Sequence, residues 1–179
     1  MAKKFTDFVN SLNEQAKEKK KEFNPQERID KFVSLVNSLY ATIDEWLKEN
    51  IADGSITTDV EQVTIMEERL GPYKVNSKWI QIGKARFIFE PRGTIMIGTN
   101  ARIDMRYKTQ TVMIVRTGEN VEGPGDLITI EVNGEIAHKP APAGKPVWKY
   151  VKDRHRLSYV TLTKESFEKL IMDLVNETR

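Results

Sequence analysis

The sequence contains no cysteine and only two histidines, and this scarcity limits the kinds of site that it can form. Without cysteine there is no disulfide bond, no thiolate zinc ligand and no cysteine nucleophile. His138 and His155 could hold a metal only with carboxylates that no motif places beside them. We therefore predict neither a metal nor a cofactor, and the missing cysteines favour the cytoplasm.

Long hydrophobic runs are missing as well. No apolar stretch approaches the roughly 18 residues that a membrane-spanning helix needs, and the charged start of the chain lacks the apolar segment of a secretory signal. A net charge of +2 over 179 residues is too small to indicate nucleic-acid binding by itself. Size and composition indicate one globular domain, residues 1–179, without a membrane partner.

The central third of the chain alternates short apolar runs with turn residues, which is typical of an antiparallel meander. Residues 79–116 contain the clearest series. Gly83 and Lys84 fit a two-residue type II′ hairpin loop, because glycine takes the positive φ without a steric cost. Residues 91–93 are expected to break the next strand, since proline cannot donate to a ladder. Residues 111–115 are apolar on both faces and predict a central strand.

Glycine, proline and asparagine predict further turns. Gly71 and Pro72 form a turn, and residues 73–75 form a short strand that ends at Asn76. Residues 117–126 form a surface loop. The dipeptide at 133–134 predicts a hairpin whose register stays open, because the two-residue turn and the apolar alternation favour different pairings. Strands are also expected at residues 147–151 and 157–162.

Three helices flank this region in the prediction. Apolar residues at helical spacing predict an amphipathic helix over residues 4–22. Asn24 and Pro25 then mark the start of a second helix, which carries an unbroken apolar stripe to Ile51. This stripe predicts the cover of the sheet, or alternatively part of a dimer interface. A last helix begins after Thr163 and extends to residue 178.

The predicted fold is therefore α+β, with a bent antiparallel sheet of roughly seven to nine strands. Two N-terminal helices and one C-terminal helix cover it. Within the single domain, residues 4–51 form the helical pair, residues 57–162 the β region and residues 163–178 the C-terminal helix.

Two clusters of basic residues are candidate binding sites for nucleic acid or another anion. Residues 145–156 hold five cations against one acid, with two aromatic residues between them, as on surfaces that stack bases beside phosphate-binding cations. A solvated hairpin with two core aromatic residues gives the same pattern. The second cluster is a strand on which arginines flank Asp104, which predicts either a surface ion-pair row or an anion-binding patch. The candidates are Lys149, Lys152, Arg154, Arg156, Trp148, Tyr150, Arg102 and Arg106.

The sequence leaves three hypotheses about function. The first is a non-catalytic cytoplasmic interaction domain whose partner is either another protein or, through the N-terminal helices, a second copy of the chain. The second is a nucleic-acid-binding protein that uses the basic hairpin at 145–156. The third is a small enzyme that uses Asp104, His138 or His155 with an arginine, and the lack of a catalytic motif disfavours it. Residues 90–105 resemble segments of small bacterial proteins of unassigned role, which implies no activity.

Overall fold

The chain forms a mixed α and β structure in a computed structural model that describes residues 24–94, 101–127, 130–132, 135–138, 144–152 and 158–177. The helices are α1 (Pro25–Trp46), α2 (Lys48–Ala52) and α3 (Lys164–Glu177), with a short 3-10 turn at Pro124–Leu127. The strands are β1 (Ile56–Glu67), β2 (Gly71–Ile82), β3 (Ala85–Gly93), β4 (Ala101–Tyr107), β5 (Gln110–Gly118), β6 (Ile130–Val132), β7 (Glu135–His138), β8 (Pro146–Val151) and β9 (Tyr159–Thr161). The helix predicted at 4–22 lies outside the described residues.

Seven of these strands form one antiparallel sheet in the order β1-β2-β3-β4-β5-β8-β9. The order follows the chain as far as β5, which confirms the meander. The hairpin of β6 and β7 forms a separate two-stranded sheet. The predicted α+β class is confirmed, with helices on one side of the sheet.

Helix α1 covers the sheet as its apolar stripe predicts, but it ends at Trp46, and the rest of the helix predicted to reach Ile51 is the separate short helix α2. It starts where Asn24 accepts a hydrogen bond from the backbone N–H of Glu27 at 3.2 Å, with Pro25 in the first turn. Helix α3 packs on the same core through a second apolar stripe. The buried residues of the two helices are Phe32, Val36, Leu39, Tyr40, Ile43, Phe167, Leu170, Ile171 and Leu174. Among the described residues, no helix is both long and apolar enough to cross a bilayer.

The bend of the sheet lies in the long ribbon of β1 and β2. The buried positions of β2 change parity, from Tyr73 and Val75 to Lys78 and Ile80, although its pairing with β1 is continuous. Strand β3 pairs with β2 only between Lys78 and Ile82, and the other half of the ribbon contacts α1, where Tyr73 packs on Phe32 and Asn76 donates to Asn37. The strand break predicted at Asn76 is therefore wrong, because the chain changes its buried side there without ending the strand.

Other boundaries differ from the prediction for similar reasons. The first turn lies at residues 68–70 rather than at 71–72, and Gly71 already belongs to β2. Residues 91–93 continue β3 with an irregular register, because beyond Phe89 this strand pairs only with β4. The loop at Gly83 is a two-residue turn with positive φ at the glycine alone, as predicted.

The C-terminal strands also show corrections. Residues 117 and 118 belong to β5, and Val121 of the predicted surface loop is fully buried. Val132 pairs with Glu135, and a register shift follows, so the two-residue turn decides this hairpin. Strand β9 is only three residues long, and Thr163 caps α3 by accepting a hydrogen bond from the N–H of Ser166.

The buried hydroxyl of Tyr40 predicts a loss of stability in alkaline solution. Burial raises the pKa of this hydroxyl, which also donates to the carbonyl oxygen of Phe89 at 3.2 Å. A tyrosine in the unfolded chain ionises near pH 10, whereas Tyr40 in the folded protein stays protonated, so its contribution to stability is lost as pH rises above about 10. We expect Tyr40→Phe to be less stable at neutral pH but to lose about 1.4 kcal/mol less per pH unit above pH 10. Urea unfolding from pH 8 to 11.5 measures how the free energy of unfolding of each protein depends on pH. If the two proteins lost stability equally with pH, Tyr40 would not be the group responsible.

Candidate functional site

The outer side of the sheet, away from the helices, carries a row of arginines. Antiparallel partners share one side of a sheet, and the register places Glu90 opposite Asp104 and Ile88 opposite Arg106. We call this surface of β3 and β4 the arginine face. Its charged members are Arg86, Glu90, Arg92, Arg102, Asp104 and Arg106.

Two carboxylates link three of these arginines into one network. Asp104 accepts hydrogen bonds from Arg102 Nε at 2.8 Å and Nη2 at 3.0 Å, and from Arg92 Nε at 2.9 Å. Glu90 accepts from Nη2 of Arg92 and from Nη2 of Arg106, both at 2.7 Å. The charges thus alternate along the row, and the network carries one positive charge more than negative. The predicted ion-pair row on β4 is therefore present, and it extends to β3.

The network has a structural reason. Two acids directly opposite each other on neighbouring strands repel, and Asp104 is only 4% exposed. A buried carboxylate needs both a counter-charge and hydrogen-bond donors. Arg92 supplies both to the pair, since its guanidinium touches Glu90 and Asp104 together. The arginines themselves stay accessible, with 51%, 35% and 48% of the side chain exposed for Arg92, Arg102 and Arg106.

An aromatic and aliphatic border adjoins the arginine face. The guanidinium carbon of Arg86 lies 4.4 Å from the ring centroid of Trp79, which is a cation–π distance. Trp79 lies opposite Ile88, and Met113 of β5 lies opposite Asp104. Trp79, Ile88 and Met113 are half-buried. Arginine, tryptophan and methionine are the residue types enriched in protein–protein interfaces.

The basic hairpin at 145–156 is arranged differently from a nucleic-acid surface. Tyr150 is buried, Trp148 is half-buried, and both belong to the core. Lys149 is 3% exposed, so it is not presented to a ligand. Lys152 is exposed. Arg154 and Arg156 lie outside the described residues, as does His155, so the proposal that this hairpin binds nucleic acid stays untested for its tip.

Lys149 instead closes the loop that follows β5. Its Nζ donates to the carbonyl oxygens of Glu119 at 2.7 Å and Val121 at 2.6 Å. Burial lowers the pKa of its amino group, while the carboxylates of Glu122, Asp126 and Glu119 act in the opposite direction. The lysine therefore ties the loop around the buried Val121 to strand β8.

For the enzyme hypothesis, the structure describes the side-chain contacts of Asp104 but not those of either histidine. Asp104 is held by two guanidiniums on the main sheet, whereas His138 belongs to the separate β6–β7 sheet. Within the described ranges, no three acidic or histidine side chains are grouped to hold a metal ion.

A second polar cluster, which the sequence did not indicate, lies where the β1–β2 ribbon meets the end of β3. The Glu67 carboxylate accepts hydrogen bonds from the Tyr73 hydroxyl, from the N–H of Thr94 at 3.0 Å and from its Oγ1 at 2.9 Å. Arg28 of α1 donates from Nε to the same Oγ1 at 3.0 Å. Burial first, and then the Glu67 carboxylate, raise the pKa of the Tyr73 hydroxyl. We call Glu67, Tyr73 and Thr94 the ribbon latch.

A groove of about 730 Å³ opens beside the ribbon latch, between α1 and the start of β2. Its lining mixes apolar side chains such as Ile29, Val33 and Leu70 with polar ones such as Asp30 and Lys74. Tyr73 forms part of its wall, with its hydroxyl turned to Glu67. The groove is a concave surface of mixed polarity. The excess of positive charge that an anionic ligand requires lies on the arginine face instead.

None of the protein-family models, curated proteins or solved structures compared with the chain matches it. The functional argument therefore depends on the geometry of its own residues.

Proposed function

We propose that this protein is a non-catalytic binding domain that recognises an acidic segment of a partner protein through the arginine face. The observation that carries the proposal is the alternating network, in which two carboxylates hold three exposed guanidiniums in fixed positions. With Arg86, the face has four arginines and two acids.

The guanidiniums of the network have donors to spare. Each guanidinium carries five N–H groups, and the contacts with Glu90 and Asp104 engage the Nε or Nη2 atoms only. An incoming carboxylate can therefore accept hydrogen bonds without displacing the resident acids. Because the side chains are already held in place, binding costs less conformational entropy than ordering free arginines would.

The border of the face favours a protein over a nucleic acid. Base stacking needs an open aromatic ring, but the ring of Trp79 already has Arg86 over it. Ile88 and Met113 add apolar surface that suits the side chains of a peptide. Nucleic-acid binding through the hairpin at 145–156 thus becomes an outcome of the test. A cytoplasmic, bacterial setting is part of the proposal, and the cysteine-free sequence supports the first of these.

The test is the affinity of a fluorescein-labelled oligo-glutamate peptide, measured by anisotropy at low and at physiological salt. We expect Arg86→Gln/Arg106→Gln to weaken binding at least tenfold, since each lost guanidinium contact contributes about 1 kcal/mol or more. The matched control is Lys164→Gln/Lys169→Gln on α3, which changes the net charge equally on the other side of the sheet and should bind as the unaltered protein does.

Two outcomes would overturn the proposal. One is that the unaltered protein does not bind the peptide even at low salt, and the other is that both double variants bind it equally well. A labelled single-stranded oligonucleotide is measured beside the peptide. Tighter, salt-sensitive binding of the oligonucleotide that survives in the Arg86→Gln/Arg106→Gln variant would favour the basic hairpin instead.

A further inference from the structure

Strand β1 is an edge strand of unusual length. It has 12 residues and stands at the end of the strand order, and no other described strand pairs with its outer side. Natural edges are blocked by short strands, lysine, proline or bulges. Between Ile56 and Glu67 there is no lysine and no proline, and the pairing with β2 runs without a bulge. Of the usual protections, the strand therefore carries only charged side chains, the acids Asp59, Glu61 and Glu67.

Exposed apolar side chains accompany this open edge. Val60 is 47% exposed although its cross-strand partner Lys78 is only 2% exposed, and Met66 is 72% exposed. Among the described residues only Met172, on α3, shares this property of a large and exposed apolar side chain. Val60 and Met66 are an even number of residues apart, so both side chains lie on the same side of the strand, where a strand added at this edge would place side chains beside them.

The sequence of the strand lets a second copy of itself pair with this edge without placing like charges opposite each other. Two copies of one strand that pair antiparallel about a two-fold axis place one residue opposite its own copy. An axis at Glu61 would put two identical carboxylates face to face, and an axis at Val60 would put Asp59 opposite Glu61 twice. An axis at Val63 would put Asp59 opposite Glu67. Each of these registers is penalised by like charges in direct opposition.

An axis at Gln62 avoids all of these conflicts. It pairs Gln62 with its own copy, Glu61 with Val63 and Asp59 with Ile65, so each of these acids faces an apolar residue. It also pairs Val60 with Thr64 and Thr58 with Met66. Val60 and the Met66 of the other copy are then diagonal neighbours on one side of the sheet, at a separation that long side chains bridge. The two exposed apolar residues of the edge thus cover each other.

We infer that β1 is a self-association edge, and that two copies of the chain join their sheets through it with Gln62 at the two-fold axis. The contact consists of main-chain hydrogen bonds and few side chains, so the dimer is weak and forms in the micromolar range or above. This inference does not depend on the proposed function of the arginine face, which lies on other strands.

The test is sedimentation of the full chain from micromolar to submillimolar concentration. Gln62→Lys and Gln62→Glu each place like charges at the axis, and we expect each to weaken dimerisation at least tenfold. An equimolar mixture of the two variants should regain it, because lysine then meets glutamate. Gln62 is exposed, so both variants are expected to fold, and circular dichroism checks this. The same changes at the exposed Gln26 of α1 are the matched control.

Dimerisation that returns in the mixture, but is weak for each variant by itself, identifies the register. A variant that was only destabilised would not be rescued by an oppositely charged copy. A protein that remains monomeric over the whole concentration range would overturn the inference. A dimer that persists in both Gln62 variants would also overturn it, and would direct attention to the N-terminal helices that the sequence suggested.

Discussion

Replacing Val36 with aspartate is expected to unfold the protein. Val36 is fully buried in the middle of α1, within the core cluster that joins this helix to the sheet. The substitution removes apolar contacts and buries a carboxylate among apolar side chains, which together cost several kcal/mol. A domain is usually stable by only about 5–15 kcal/mol, so most of the folded population should be lost.

The measurement is far- and near-ultraviolet circular dichroism with a thermal melt. Ser38→Asp, two residues further along α1 and on its exposed side, is the matched control and should melt within a few degrees of the unaltered protein. A folded Val36→Asp protein that had only become monomeric would mean that the stripe of α1 serves an interface instead of the core. Its complete burial within one chain makes unfolding the expected result.

The start of α1 and the position of α3 could be predicted from the sequence because their signals are local. A cap at Asn24 and apolar residues at helical spacing depend only on near neighbours in the chain. The turn at Gly83 is local for the same reason. The curl of the β1–β2 ribbon could not be predicted in this way. It depends on where β3 stops pairing with β2, which is a tertiary fact that no residue near Asn76 records.

The burial of two lysines also depends on tertiary contacts that cannot be predicted from neighbouring residues. Lysine is rarely buried, yet Lys78 and the candidate binding residue Lys149 are 2% and 3% exposed. Each is satisfied by groups far away in the sequence, Lys78 by Asp44 of α1 at 2.7 Å and Lys149 by carbonyl oxygens of the loop after β5. A lysine in a predicted strand therefore need not be an exposed cation.

The part of the candidate site on β4 could be predicted from the sequence, and the part on β3 could not. Arg102, Asp104 and Arg106 alternate on one strand, so their shared side follows from the period of two. Glu90 and Arg92 belong to the preceding strand, so their position beside Asp104 depends on the register of β3 with β4, which is regular at Glu90 and irregular between Pro91 and Gly93. An alignment of the two strands on Glu90 and Asp104 would have revealed the network, but only with that register known.

The ribbon latch leads to the second large effect, which is expected for Glu67→Ala. The carboxylate is 7% exposed and accepts hydrogen bonds from Tyr73 and from two groups of Thr94. Truncation leaves a buried hydroxyl and a buried N–H without their acceptor, which should lower the free energy of unfolding by about 2–4 kcal/mol. Urea unfolding measures the change. Glu61→Ala, an exposed acid on the same strand, is the control and should stay within about 0.5 kcal/mol.

A double-mutant cycle separates the latch from a general effect of truncating the strand. If Glu67 acts through Tyr73, then Tyr73→Phe should cost much less in the Glu67→Ala background than in the unaltered protein, with a coupling of about 1–2 kcal/mol. Additive losses would mean that the two side chains stabilise the ribbon independently. Gly93 supplies a structural reason to expect coupling, since a Cβ there would lie 2.7 Å from the Glu67 side chain. The end of β3 is thus shaped to admit this carboxylate, so the ribbon and the sheet should lose stability together when the carboxylate is removed.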